Sequence, residues 1–221
     1  MLRRSADRSC LTRNLFEVPQ LLFGMENYLA YMAEFPEATL RLSEKLCGIY
    51  MANLEKWLGA VGPFIDIILF GDDLGSQKGP LISKRMFREY FKPFEARMWK
   101  RVKQSANVKI QLHCCGGVEP LLDDLIEAGL DCINPVQISA AGMDPKVLKA
   151  KYGSRLCFWG GGCDTGRILP LGTPEEVAAH VRSQVEVMRQ GSGFVFQQVH
   201  NIMAEVPPEN IVAMFKAVQR H

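Results

Sequence analysis

Five places in this 221-residue chain end an apolar stretch with side chains able to bind a metal, move a proton or hold a polar substrate. The densest is Val108-Lys109-Ile110-Gln111-Leu112-His113-Cys114-Cys115-Gly116-Gly117. Val108, Ile110 and Leu112 alternate with more polar neighbours, the period of a strand. A strand sends residues i and i+2 to one face, so His113 and Cys115 point together and Cys114 points away. Imidazole and thiolate are ligand types that zinc favours. Gly116 and Gly117 then end the strand and let the backbone approach whatever the side chains hold.

The other four places are Asp72 and Asp73, Asn134 and Gln137, Asp164, and His200. Adjacent residues point to opposite sides, so at most one of the two aspartates faces a common site, and we assign Asp73. The amides of Asn134 and Gln137 suit substrate orientation. Asp164 follows Gly160-Gly161-Gly162, a turn whose backbone amides can cradle a phosphate or carboxylate. Each choice has a plainer alternative. His113 and Cys115 can be core residues, and Asp72 and Asp73 can be turn and cap residues beside Gly71 and Gly75. Cys10, Cys47, Cys132 and Cys157 read as packing residues, Cys163 is open, and Glu26 is a candidate buried carboxylate reaching the site.

The elements that must position these residues alternate. Pro36–Val61 has helical periodicity, begun by Pro36 and stopped by Gly62-Pro63. Phe64–Phe70 is an apolar run typical of a buried parallel strand. Ser83 can cap a helix over about 84–104. Strand 108–115 precedes a helix over 119–128 with Gly129 at its C-terminal end. Strands over 131–137, 156–160 and 194–200 follow, with helices over 145–151, from Thr173-Pro174-Glu175-Glu176 to Gln190-Gly191, and over 207–218. Thr173 and Glu176 form a capping box. Residues 1–35 are the least patterned; 15–29 reads as a strand remnant and a short helix, with a further remnant near Cys10–Leu15. Five strands, each followed by a helix, imply a parallel sheet.

Between an open sheet and a barrel, the polar ends of all five strands favour a (β/α)8 TIM-type barrel, where chemistry sits at the C-terminal ends of strands. Only five to six of its βα units are found, so the single domain over 1–221 is an N-terminally incomplete barrel. Its open edges call for the missing strands, a partner or a second copy of the chain in a homo-oligomer.

Composition narrows the function. A chain that is 48% hydrophobic and 23% charged, with a net charge of +2, is an ordinary globular protein without electrostatic grounds for a nucleic-acid or membrane partner. Seven irregularly spaced cysteines point to reduced thiols in the cytoplasm. No apolar run reaches the ~18 residues of a membrane span. The basic N-terminus lacks the apolar stretch of a secretory signal.

The stretches FGDDLGSQKGPLIS (70–83), LHCCGG (112–117), NPVQ (134–137), FWGGGCD (158–164) and VHNIMAEVPPENI (199–211) resemble the uroporphyrinogen decarboxylase superfamily, in the order of the second part of its barrel. That superfamily also contains zinc-dependent, corrinoid-linked methyltransferases, in which a His-x-Cys pair and a distant cysteine hold zinc and activate a thiol that accepts a methyl group. His113 and Cys115 match the pair. The distant cysteine falls near His200, and the decarboxylases also carry a histidine there. No segment matches the first strands, which hold the decarboxylases' aspartate and arginines.

The resemblance implies zinc on His113, Cys115 and His200, a methylcorrinoid (free or on a corrinoid protein) or a methylated small molecule as methyl donor, and a thiol-type small-molecule acceptor. Asp73 and His200 are then catalytic, while Asn134, Gln137 and Asp164 orient the substrate. Its alternatives are metal-free decarboxylation of a tetrapyrrole, with His200 on a propionate, and a truncated barrel that binds a corrinoid or partner without turnover.

Overall fold

A computed structural model describes residues 15–191 and 193–219. In chain order the strands are β1 (Ile67–Gly71), a hairpin of β2 (Gly75–Ser76) and β3 (Gly79–Pro80), then β4 (Lys109–His113), β5 (Cys132–Asn134), β6 (Cys157–Trp159) and β7 (Phe194–Val195). The helices are α1 (Glu17–Phe23), α2 (Met25–Glu34), α3 (Pro36–Val61), α4 (Lys84–Tyr90), α5 (Lys92–Ser105), α6 (Leu122–Ala128), α7 (Pro145–Tyr152), α8 (Ile168–Leu171), α9 (Pro174–Met188) and α10 (Pro208–Gln219).

The sheet runs β1-β4-β5-β6-β7, and every pair is parallel. Each crossover therefore advances one place in the same direction. A doubly wound sheet would reverse its order midway; a barrel does not. Five strands form an arc of the eight that close such a barrel.

Register divides the side chains into two rows. Phe70, Leu112, Ile133 and Phe158 are aligned neighbours and all buried. The ring of Phe70 lies 6.1 Å from that of Trp99 on α5, so this row faces the helical layer. The residues between them face the hollow of the arc: Gly71, His113 and Asn134 form one tier. Gln111, Cys132 and Cys157 form the tier below. A smaller apolar cluster, including Leu169, Val177, Val181 and Met214, joins α8 and α9 to α10.

Local chemistry explains the clean boundaries. Pro36 begins α3, and the Ser83 hydroxyl accepts from Met86 N at the start of α4. Thr173 and Glu176 form both halves of a capping box on α9.

Several expectations change. Residues 15–29 form no strand: Leu15 and Phe16 lie in a turn, and α1 and α2 break at Gly24, whose φ of +83° suits glycine. The remnant proposed near Cys10–Leu15 lies outside the described residues apart from Leu15. The helix read over 84–104 is two helices meeting at Phe91, because Pro93 cannot donate a backbone hydrogen bond to an α4 carbonyl. The strand over 131–137 stops at Asn134, before Pro135, and the last strand is only Phe194–Val195, leaving 196–200 irregular. Among the described residues no helix is long and apolar enough to cross a membrane.

Candidate metal centre

His113 is the last residue of β4, directly beside Asn134 on β5. Asn134 is buried, and its Nδ2 donates to the carbonyl of Trp159 at 2.9 Å and to Gln197 Oε1 at 3.2 Å. A carbonyl can only accept, so the amide orientation is fixed and Oδ1 faces His113. His113 Nδ1 lies 2.6 Å from that oxygen and must donate to it. A proton is thereby held on Nδ1, which leaves Nε2 as the nitrogen that meets Cys115 Sγ and faces the hollow of the arc.

Cys115 Sγ lies 3.4 Å from His113 Nε2. The edge joining a nitrogen and a sulfur ligand on a zinc tetrahedron is about 3.6 Å, from usual Zn–N and Zn–S lengths. The His200 ring lies 5.9 Å, centroid to centroid, from that of His113. One ligand atom each from His113, Cys115 and His200 falls within 4.8 Å of the others. Two imidazoles and a thiolate leave a fourth tetrahedral position open, as catalytic zinc sites do. The donor set and the Nδ1 lock fit a zinc ion.

The loop after β4 is clamped. Asp73 Oδ1 accepts from Cys115 N at 2.7 Å, Gln137 Oε1 from Gly116 N at 2.8 Å, and Ser76 O from Gly117 N at 2.8 Å. Gly116 has φ +84°, and a Cβ there would lie 2.5 Å from the carbonyl carbon of Gly75. Only glycine lets the two backbones cross. Cys114 points away, buried, and its sulfur accepts from Leu74 N at 3.3 Å.

Asp72 is fully buried and accepts from Phe16 N (3.0 Å) and Glu17 N (2.7 Å). Burial pushes its carboxyl up to about 7 against those two hydrogen bonds, with the Glu17 and Asp73 charges adding to the rise. This tether on the first residues of α1 brings Glu17 to the site. A cavity of about 250 Å³ opens there, lined among others by Glu17, Asp73, His113, Gln197 and His200. His113 and Cys115 are half-buried, and His200 is exposed. Burial pushes the Cys115 thiol up to about 12, helped by the Asp73 charge and hydrogen bond and by Glu17. The anionic wall favours a cation and disfavours a bare thiolate.

The expected residues thus separate. His113, Cys115 and His200 come together, with Asp73 on the cavity wall beside them. Asn134 stands behind His113, its amide committed to neighbouring strands. Gln137 holds the Gly116 loop. Asp164 lies apart from this cavity's described lining: its N–H donates to His180 Nε2 at 3.3 Å and its Oδ1 accepts from Gly166 N at 2.7 Å. Glu26 is exposed rather than buried. Sequence reasoning missed Glu17 and Gln197. Gln197 had a signal as a polar residue inside the apolar run 194–199; Glu17 had none nearby, since its place depends on Asp72.

A family model described as Uroporphyrinogen decarboxylase (URO-D) matches residues 16–221. No curated protein matches the chain. Among solved structures, a methyltransferase from Methanosarcina mazei superposes with a TM-score of 0.70 at 20% identity, covering 94% of this chain and 57% of that one. A 7,8-dihydropteroate synthase from Vibrio fischeri gives a TM-score of 0.42 at 13% identity, covering 69% and 54%. The first likeness is one of fold, and this chain spans little more than half the length of that structure.

Proposed function

The chain belongs to the uroporphyrinogen decarboxylase family, and on that premise we propose that it takes part in zinc-assisted methyl transfer to a thiol-type acceptor. One observation carries this reading. Nitrogen and sulfur donors of His113, Cys115 and His200 converge within 4.8 Å, and Asn134 presets the His113 tautomer. A histidine packed only as core would not need that convergence.

His113, Cys115 and His200 would hold the metal. Zinc bound there would supply Lewis acidity, lowering the pKa of an acceptor thiol so that its thiolate exists at neutral pH. The chain's own residues then do the rest. Asn134 keeps the His113 proton on Nδ1, and Gln137 and Asp73 fix the Cys115 loop by its backbone amides. Asp73 and Glu17 line the cavity where the acceptor would sit, and Asp73 would take the acceptor's proton. The methyl donor in this reading is a methylcorrinoid, free or carried by a corrinoid protein, or a methylated small molecule.

Elemental analysis of protein purified under reducing conditions with zinc supplied is the test. About one zinc per chain, lost in a folded His113→Ala variant, is expected. Metal-free protein would transfer the assignment to decarboxylation of a tetrapyrrole, with His200 on a carboxylate.

The sheet edges β1 and β7 suggest a further element of the proposal: a second copy or another polypeptide covers them. Sedimentation as a monomer of 24.8 kDa at every concentration would exclude the homo-oligomer.

A further inference from the structure

On the tier below the metal centre, Cys132 and Cys157 sit directly opposite each other as the first residues of β5 and β6. Aligned residues of neighbouring parallel strands are about 4.8 Å apart and send their side chains to the same face. That spacing lies inside the Cα separation of ordinary disulfides, about 4.4–6.8 Å. Both thiols are free, and the Cys132 thiol donates to the Ile133 carbonyl of its own strand at 3.9 Å. Cys132 is buried, Cys157 half-buried. The ammonium of Lys149 on α7 sits 5.9 Å from the centre of the ring of Phe158, the residue next to Cys157.

We propose that Cys132 and Cys157 form a peroxide-sensitive dithiol, with Cys157 the attacking sulfur and Cys132 the resolving one. The arrangement separates the two roles. The adjacent Cys132 side chain and the Lys149 charge hold the Cys157 thiol below its usual range, against burial. The same neighbour relation, with burial, raises the Cys132 thiol. Burial likewise pushes Cys163 up to about 12. Cys157 is also the more accessible member of the pair.

The chemistry balances with a hydroperoxide as oxidant. The Cys157 thiolate attacks the terminal peroxide oxygen, the O–O bond breaks, and hydroxide or alkoxide leaves behind a sulfenic acid. The Cys132 sulfur then displaces the sulfenic oxygen as water, forming the S–S bond. Two electrons pass from the thiols to the peroxide. A dithiol reductant reverses the outcome by exchange.

The test uses the full chain and hydrogen peroxide at less than one equivalent, followed by alkylation and mass-spectrometric mapping with fragmentation. Loss of two of the seven alkylatable thiols, recovered as a Cys132–Cys157 cross-link and reversed by dithiothreitol, is expected. Both thiols remaining free while other cysteines oxidise would overturn the proposal. Dimedone separates the roles: it should label Cys157 in Cys132→Ser and leave Cys132 unlabelled in Cys157→Ser. Labelling in the opposite sense would overturn the assignment, and the native chain keeps the pair testable should either variant misfold.

Discussion

At the scale of single residues, the centre divides into groups that touch the proposed metal and groups that aim them. Asn134 is the aiming residue, because its oxygen engages Nδ1 and leaves Nε2 as the His113 nitrogen that faces the hollow of the arc. Asn134→Ala should leave Cys115 in place and weaken zinc binding by roughly 10–100-fold, the usual consequence of removing such a partner. Competition with a chromogenic chelator reads it, and unchanged affinity would sink the role. His113 and Cys115 were legible in the sequence because their spacing of two needs only a strand to place them on one face. The role of Asn134 was not, since it depends on the register between β4 and β5, which no local pattern encodes. Glu17 was more hidden still. It reaches the cavity through hydrogen bonds to Asp72, 55 positions further along the chain.

At the scale of elements, the hairpin of β2 and β3 shapes the metal loop. It presses Gly75 against Gly116, leaving no room for a side chain at either. Gly116→Ala combines a left-handed backbone with a backbone clash, and should cost about 3 kcal/mol in denaturant unfolding. It should also lower zinc occupancy by moving Cys115. An alanine variant with native stability would mean that the hairpin yields easily. Helices were readable where they carried their own punctuation, as with Pro36 and Gly62 around α3 and Thr173 and Glu176 on α9. The break between α4 and α5 went unread although Pro93 marked it, because Met, Phe and Trp continue one apolar face through both. The last strand went unread in its length: the regular strand ends at Val195, and beyond it Gln197 and Val199 hydrogen-bond the loop after β6 instead.

For the whole molecule, stability depends on how the helical layer is tied together. The Asp124 side chain on α6 is fully buried and meets Arg88 of α4 at 2.8 Å and Lys92 of α5 at 2.6 Å. Burial pushes its carboxyl up, but the hydrogen bonds and charges of Arg88 and Lys92 outweigh it, holding it below the usual range. A depressed folded pKa contributes stability at neutral pH, which is lost as pH falls through the ordinary carboxylate value toward the folded one. Asp124→Asn should therefore cost about 2 kcal/mol at neutral pH, and the gap to the native chain should shrink toward about pH 3. A gap constant with pH would show that shape, not charge, ties these helices. The barrel class was legible because every strand ended in polar residues, whereas packing alone does not demand that. What closes the arc lies beyond local pattern: among the described residues β1 and β7 each pair with a strand on one side.

The three donors do not stand on equal footing. His113 and Cys115 belong to a central strand and a clamped loop, whereas His200 is exposed on the irregular stretch after a two-residue edge strand. The backbone before it hangs on the loop after β6: Gln197 O accepts from Gly162 N and Val199 N donates to Cys163 O, each at 2.9 Å. The third donor is thus positioned by the outermost strand of the sheet and its neighbour's loop, and a metal held here would depend on that edge. A polypeptide that pairs with β7 would brace it from the other side. Closing the barrel and holding the metal would then be a single event seen from two sides.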